Sequence, residues 1–407
     1  MRSWKANYAA LLIAETLAMI GFGLSFPVIP LFLEEDLGIT DPVTLKAWVG
    51  IISTSTSVTL AIFAPIWGHL SDIFNRRVML LRAMFGGAII ISLMTFANSP
   101  WQLLVLRSIM GCLTGTVAAA TVIVATISPP SQMAFTLGIL TTGVAVGNSL
   151  GPMFGGIISD FLGHRVNFFS TGLVLALAGF IVLKWVDSDR KSVTNEGTSA
   201  EGTKKKLTLL PNFRPIMTSP ILITIMLVSV CINTSGTVAS PMLPLFIKEL
   251  ALQVSDEVRY IGSSTGIVLG VGSATSALAA VLVGRYSLKL GYWRTLVICI
   301  LASAVFTVPQ IFVTNMQQLT VFRALSSFMI GGAAPVISAL IVISSERQLH
   351  GTIFGIHSAV TFAGQAIGPL IGTITSILNY RAAFFAAAII LFLSALAIFL
   401  RRKKYSQ

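Results

Sequence analysis

The chain has 407 residues, of which 55% are apolar and only 10% carry a formal charge. Soluble domains carry about a quarter charged residues, so this composition excludes a soluble globular protein and indicates a polytopic membrane protein. The formal net charge is +12, but Lys and Arg alternate by loop instead of forming one patch, which argues against nucleic acid as a partner.

Apolar segments follow one another along the chain, each long enough to cross a hydrocarbon core about 30 Å thick. They predict twelve transmembrane helices, numbered here α1 near 8–33, α2 near 46–70, α3 near 78–97, α4 near 101–127, α5 near 132–161 and α6 near 166–186. After a polar stretch come α7 near 219–248, α8 near 258–285, α9 near 293–314, α10 near 317–344, α11 near 351–377 and α12 near 381–400. The expected fold class is an all-α integral membrane protein of two homologous six-helix bundles. Residues 1–186 would form the first and 219–407 the second, joined by a linker over 187–218. The linker is rich in Thr, Ser, Gly and Glu and holds Lys204–Lys206, a composition expected to be partly disordered around 190–203. Its end, Leu207–Met217, reads as a short interfacial segment.

The two halves echo each other at offsets of 214 to 217. Gly147-Asn-Ser-Leu-Gly151-Pro152-Met-Phe-Gly155 returns as Gly364-Gln-Ala-Ile-Gly368-Pro369-Leu-Ile-Gly372. Pro27-Val-Ile-Pro30 returns as Pro241-Met-Leu-Pro244, and the segments around Arg107 and Arg165 return around Arg323 and Arg381. A direct repeat of a membrane unit is a common plan for two bundles around a central path.

Charge sets the expected topology. Arg2, Lys5, Arg76, Arg77, Arg82, Lys204–Lys206, Arg285, Lys289, Arg294, Arg347 and Arg401–Lys404 fall at one side, and Glu34, Glu35, Asp36, Asp41, Asp256 and Glu257 at the other. This bias predicts cytoplasmic N- and C-termini and an even number of spans. The first apolar run is too long for a cleaved signal. Cys112, Cys231 and Cys299 lie on separate apolar helices, with no disulfide framework and no metal spacing. No ATP-binding loop or hydrolytic triad stands out, so neither an enzyme nor a cofactor is expected.

Glu15 is the acid placed well inside a span. At mid-membrane a carboxylate costs about 2.5–3.5 kcal/mol, so it must face a wet cavity, meet a cation or hold a proton; alternatively it sits shallow, in the headgroup layer. Arg107 and Arg323 occupy matching places in α4 and α10. Arg107 is the candidate partner of Glu15, and either arginine could instead snorkel to the surface. Gly68, Asp72, Arg76 and Arg77 form a short charged turn after α2, read as a conformational latch reaching the start of α11 near Gly351 or, alternatively, as simple topology determinants. Gly147, Gly151, Pro152, Gly155 and Gly156 offer a small-residue face on α5, read as a sliding seam against Gly262–Gly272 of α8, with ordinary packing inside one bundle as the alternative. Pro27, Pro30, Pro241 and Pro244 should break α1 and α7 and free carbonyls toward a cavity. Met19, Phe22, Phe26, Met110, Asn148, Asn233, Phe306, Met329, Phe354, His357 and Phe362 are candidate cavity residues; the polar ones read more readily as interhelical hydrogen bonders, and most of the apolar ones as packing or lipid-facing residues.

These motifs resemble the major facilitator superfamily, and within it the twelve-helix drug:proton antiporters of the Gram-positive multidrug and quinolone exporter type. Gly68–Arg77 resembles the superfamily's loop signature, with Asn75 replacing its second Gly. Leu103–Gly111 resembles the helix-4 signature centred on Arg107, with Met110 in place of the usual Gln, and Gly147–Gly156 resembles the antiporter signature of helix 5. The resemblance implies proton-coupled efflux of small amphipathic substrates by alternating access, a monomer in the plasma membrane, and roles for Glu15 and Arg107 in proton coupling. A metabolite or sugar exporter and a lipid flippase are the alternatives on the same scaffold.

Overall fold

The computed structural model describes residues 3–73, 75–187, 214–217, 219–253, 260–346 and 349–402. Among them, twelve helices are long and apolar enough to span a membrane: α1 Trp4–Asp36, α2 Pro42–Ala64, α3 Arg76–Met94, α4 Pro100–Ile127, α5 Phe135–Leu162, α6 His164–Trp185, α7 Pro220–Leu252, α8 Ile261–Leu290, α9 Tyr292–Ile311, α10 Met316–Ile343, α11 Thr352–Leu378 and α12 Tyr380–Phe399. The outer surface is apolar: Phe96, Phe135, Phe161, Phe312 and Leu378 are all exposed. Lipid is the solvent that suits such a surface. Most of the expected disordered linker lies outside the described residues; its end appears as a short helix, Arg214–Met217.

Local chemistry sets the helix ends. Ser3, Ser99, Ser219 and Asn315 each accept a backbone N–H as N-caps, and Pro100 and Pro220 sit in first turns, where no donor is missed. Asp41 accepts from the Thr44 hydroxyl and backbone N–H at the start of α2, which holds its carboxyl below the usual range. Gly163 (φ +91°) and Gly291 (φ +83°) make one-residue joints between α5 and α6 and between α8 and α9.

Four spans are broken. The prolines interrupt α1 after Leu24 and α7 after Val238, as the sequence predicts. The structure adds a second pair. Span α4 divides into Pro100–Leu113 and Thr116–Ile127 around Gly115, whose φ of +124° excludes helix. Span α10 divides into Met316–Gly331 and Ala333–Ile343 at the corresponding place. Two shallow apolar surface depressions repeat as well, one around Leu93, Phe96 and Gln102 and the other around Pro309, Phe312 and Gln318. Side chains of the first six helices and of the last six form largely separate cores. A third core, including Leu31, Leu243 and Phe246, joins the limbs that follow the breaks in α1 and α7.

Contacts that join the two halves cluster at one end, distal to the chain termini. Asp160 accepts from the backbone N–H groups of Gly262 (2.9 Å) and Ser263 (2.7 Å), so it caps the start of α8. Lys46 donates to the Ser376 carbonyl (2.7 Å) near the end of α11 and lies over the Tyr380 ring. Lys248 meets Glu34 at 3.0 Å and Glu35 at 3.7 Å. Toward the proximal end, by contrast, the space beside Gly138 of α5 and Gly355 of α11 is open. The molecule is closed distally and open proximally.

Candidate functional site

Glu15 is fully buried between α1 and α4, so a shallow, solvated position does not describe it. One oxygen accepts from the Thr116 hydroxyl at 2.8 Å; the other, Oε2, is buried without a partner. Thr116 is the first residue of the second limb of α4, created by the turn at Gly115. The carboxyl group therefore sits by a half-helix N-terminus, where the helix dipole favours negative charge. Neither Thr116 nor Gly115 stands out in the sequence, because a break at a lone Gly looks like ordinary close packing.

The expected pairing of Arg107 with Glu15 is corrected. Arg107 is buried, and its Nη2 donates to the Ser25 hydroxyl (3.2 Å) and carbonyl (3.4 Å), with Met110 sulfur at 3.9 Å from Nη1. Ser25, which Arg107 reaches, lies ten residues beyond Glu15 at the end of the unbroken limb of α1, about 15 Å along the helix axis, so the two groups occupy different levels. Arg107 is drawn to the break in α1, where proline leaves acceptors free.

The expected α5 seam is corrected in part. Gly147, Gly151 and Gly155 face α1 of their own bundle: a Cβ on Gly151 would lie 2.8 Å from Gly23 Cα, and one on Gly155 2.6 Å from Leu24 Cα. A different face meets α8. There Ser149 donates to the Gly270 carbonyl (2.7 Å), Gly266 packs on the Pro152 carbonyl, and Gly156 packs on Gly262. The repeat behaves alike: Gly364, Gly368 and Gly372 face α7, while Pro369 faces Gly50 of α2. Four-residue spacing does select one face; the nearest neighbour for that face is a helix of the same bundle.

Among the cavity candidates, Met19 and Met110 are buried in the first-half core, Met19 against Gly147, and Phe22 packs on Gly87 of α3. Phe354 packs on the second-half core. Phe26 and Asn148 are exposed. At 100° per residue, Asn148 and exposed Thr141 lie opposite Phe154, Ile157 and Phe161, the lipid-side face of α5, so both address the open interior. His357 pairs with the Ser229 hydroxyl (3.0 Å), and Asn233 donates to the Ser229 carbonyl (2.9 Å) and accepts from Gln365 (3.5 Å). Phe306, Met329 and Phe362 are half-buried.

The surroundings of Gly68, Asp72 and Gly351 lie outside the described residues. Arg76 donates to the Thr126 hydroxyl (2.7 Å) and Arg77 to the Leu183 carbonyl, so both tie helix ends within the first bundle. The distal contacts of Lys46, Asp160 and Lys248 are not visible in the sequence: charges near helix ends are ordinary surface features until a partner helix is placed beside them.

A family model described as Major Facilitator Superfamily matches residues 11–316 and 250–407. The chain belongs to the Major Facilitator Superfamily. Within it, the chain is 32% identical over 391 residues to "Multidrug resistance protein MdtG" of Proteus mirabilis, covering 96% of this chain and 94% of that one. The same-named protein of Escherichia coli is 31% identical over 408 residues, covering 100% and 97%. Solved superfamily structures share the fold. A bacterial homologue of the human lysosomal transporter Spinster, in an inward-facing and unoccupied conformation, superposes with a TM-score of 0.78 at 16% identity over 98% of this chain and 97% of that one. The nucleoside transporter NupG gives 0.77 at 12% over 97% and 99%. Superfamily membership makes the chain a multi-pass membrane transporter of small molecules.

Proposed function

We propose that the chain exports amphipathic small molecules by alternating access, in exchange for protons, with Glu15 as the principal proton-coupling group. The observation that carries the coupling role is the buried carboxyl whose Oε2 has no partner, set beside the start of a half-helix. A proton on that oxygen removes a charge that burial makes costly, so protonation and the facing state are linked. The drug-export reading is supported by the multidrug relatives, which are matched over nearly their whole length.

On this reading, residues 1–186 and 219–407 move as two bundles linked through 187–218, and the protein works as a monomer in the plasma membrane. The charge bias puts both termini in the cytosol, so the open, proximal end faces inward. Asn148 and Thr141 offer hydrogen bonds in that interior, and Phe26 an exposed apolar ring; Asn233, His357, Met329 and Phe362 are the substrate contacts proposed from the second bundle. The turn holding Asp72, Arg76 and Arg77 would latch this end when it closes. The test is proton release from purified, weakly buffered protein on adding a lipophilic cation such as tetraphenylphosphonium. Wild type should release about one proton per protein, and Glu15→Gln should bind the cation without release. Equal release from both would remove Glu15 from the mechanism.

A further inference from the structure

Arg323 has no part in the coupling just described, yet it is placed with the same care as Arg107. From the first limb of α10 its side chain runs past Gly272 of α8 and reaches α7, where Nη2 donates to the Ser240 hydroxyl at 2.8 Å. Ser240 is buried and stands immediately before Pro241, at the break in α7. Its hydroxyl in turn donates to the Gly236 carbonyl at 2.7 Å. A guanidinium, a hydroxyl and a helix carbonyl thus form a chain across the break, and the positive charge strengthens each link in surroundings of low dielectric.

Beyond the break lies the limb Leu243–Leu252. Its Lys248 grips Glu34 and Glu35, which lie beyond the break in α1. Its Leu243 and Phe246 pack with Leu31 of that same α1 limb. The angle at Ser240 therefore sets whether the two distal limbs meet. Prolines leave that angle soft, because the backbone bonds that would stiffen it are missing.

We propose that Arg323 is a positioning residue of the distal gate: through Ser240 it pins the bend in α7 and holds the limb Leu243–Leu252 in the closed arrangement. The proposal rests on the alternating-access reading, but its main readout needs neither substrate nor proton gradient.

The test uses full-length protein in nanodiscs, with Cys112, Cys231 and Cys299 replaced and spin labels at Thr40 and Gln253, exposed positions beside the two limbs. Ser240→Ala and Arg323→Gln should each raise the ratio of long to short distances about 10-fold. Ser240→Thr, which keeps the hydroxyl, should restore the short distance. Tetraphenylphosphonium-induced proton release in Ser240→Ala should still require Glu15, its size moving only with the facing state to which protonation is linked. Ser240→Ala is the smaller change and guards against an Arg323→Gln protein that fails to fold. Unchanged distances in Ser240→Ala would overturn the proposal. So would loss of proton release with unchanged distances in Arg323→Gln, which would make Arg323 a coupling group. Should proton release depend on Glu15 in no variant, the coupling reading fails while the distances still decide the role of Arg323.

Discussion

Gly155 and Gly156 are neighbours in sequence that should respond differently to the same added methyl group. On Gly156 the new carbon would fall 2.7 Å from the Ser263 nitrogen, and closer still to the Gly262 carbonyl; ordinary contact begins near 3.4 Å. Helix α8 must retreat by more than about 0.7 Å, and the Asp160 bonds to Gly262 and Ser263 lengthen with it. Overpacking of this kind costs about 1–3 kcal/mol. Because the contact joins the halves only when the distal end is closed, that cost falls on one facing state and should move the closed-to-open ratio by about 5- to 150-fold. On Gly155 the new carbon would meet the Leu24 backbone, at 2.6 Å from Cα and 2.7 Å from the carbonyl carbon. That contact lies within the first bundle, so the same cost should lower the melting temperature and leave the ratio alone. Spin-label distances between Thr40 and Gln253 read the ratio, and thermal unfolding in detergent reads the stability. If Gly155→Ala opened the distal end as much as Gly156→Ala, the assignment of the two faces of α5 would be wrong.

Further outcomes follow from the same geometry. Asp160→Asn weakens the cap on α8 and should shift the population several-fold toward the distally open state, while Asp160→Glu, which retains the charge, should shift it less; the same distance measurement checks both. Lys46→Met keeps the stem but loses the bond to Ser376 and the charge over Tyr380, so transport should slow with substrate affinity preserved, as seen by separate flux and binding assays. Thr116→Val removes the hydroxyl on Glu15 with little change in volume; it should alter the pH dependence of proton release, and Thr116→Ser should restore it.

How much of this was legible before the fold is instructive at particular residues. The twelve spans, the repeat and the proline breaks are local signals: apolar runs, offsets and missing N–H groups. Glu15 was legible because a carboxylate in an apolar run has few innocent explanations. Its true neighbour was not, because Thr116 is one of many threonines and only the turn at Gly115 brings it there. Arg107 was legible as a buried cation, but its target was chosen by charge where the structure supplies the free acceptors of a broken helix. The five motif positions of α5 were legible as small residues, yet sequence spacing alone cannot say which neighbour each face meets. Asp160 and Lys46 act on helix ends of the other half, a relation that exists only in three dimensions.

The claim that Glu15 couples protons to export is tested most directly in proteoliposomes in which the pH gradient and the membrane voltage are set independently. Wild-type protein should drive export of a lipophilic cation with a pH gradient at zero voltage, and Glu15→Gln should lose that drive while still binding the cation and exchanging it passively. Undiminished pH-driven export by Glu15→Gln would contradict the account and move the proton to another group, with His357 and Asp160 the next to examine.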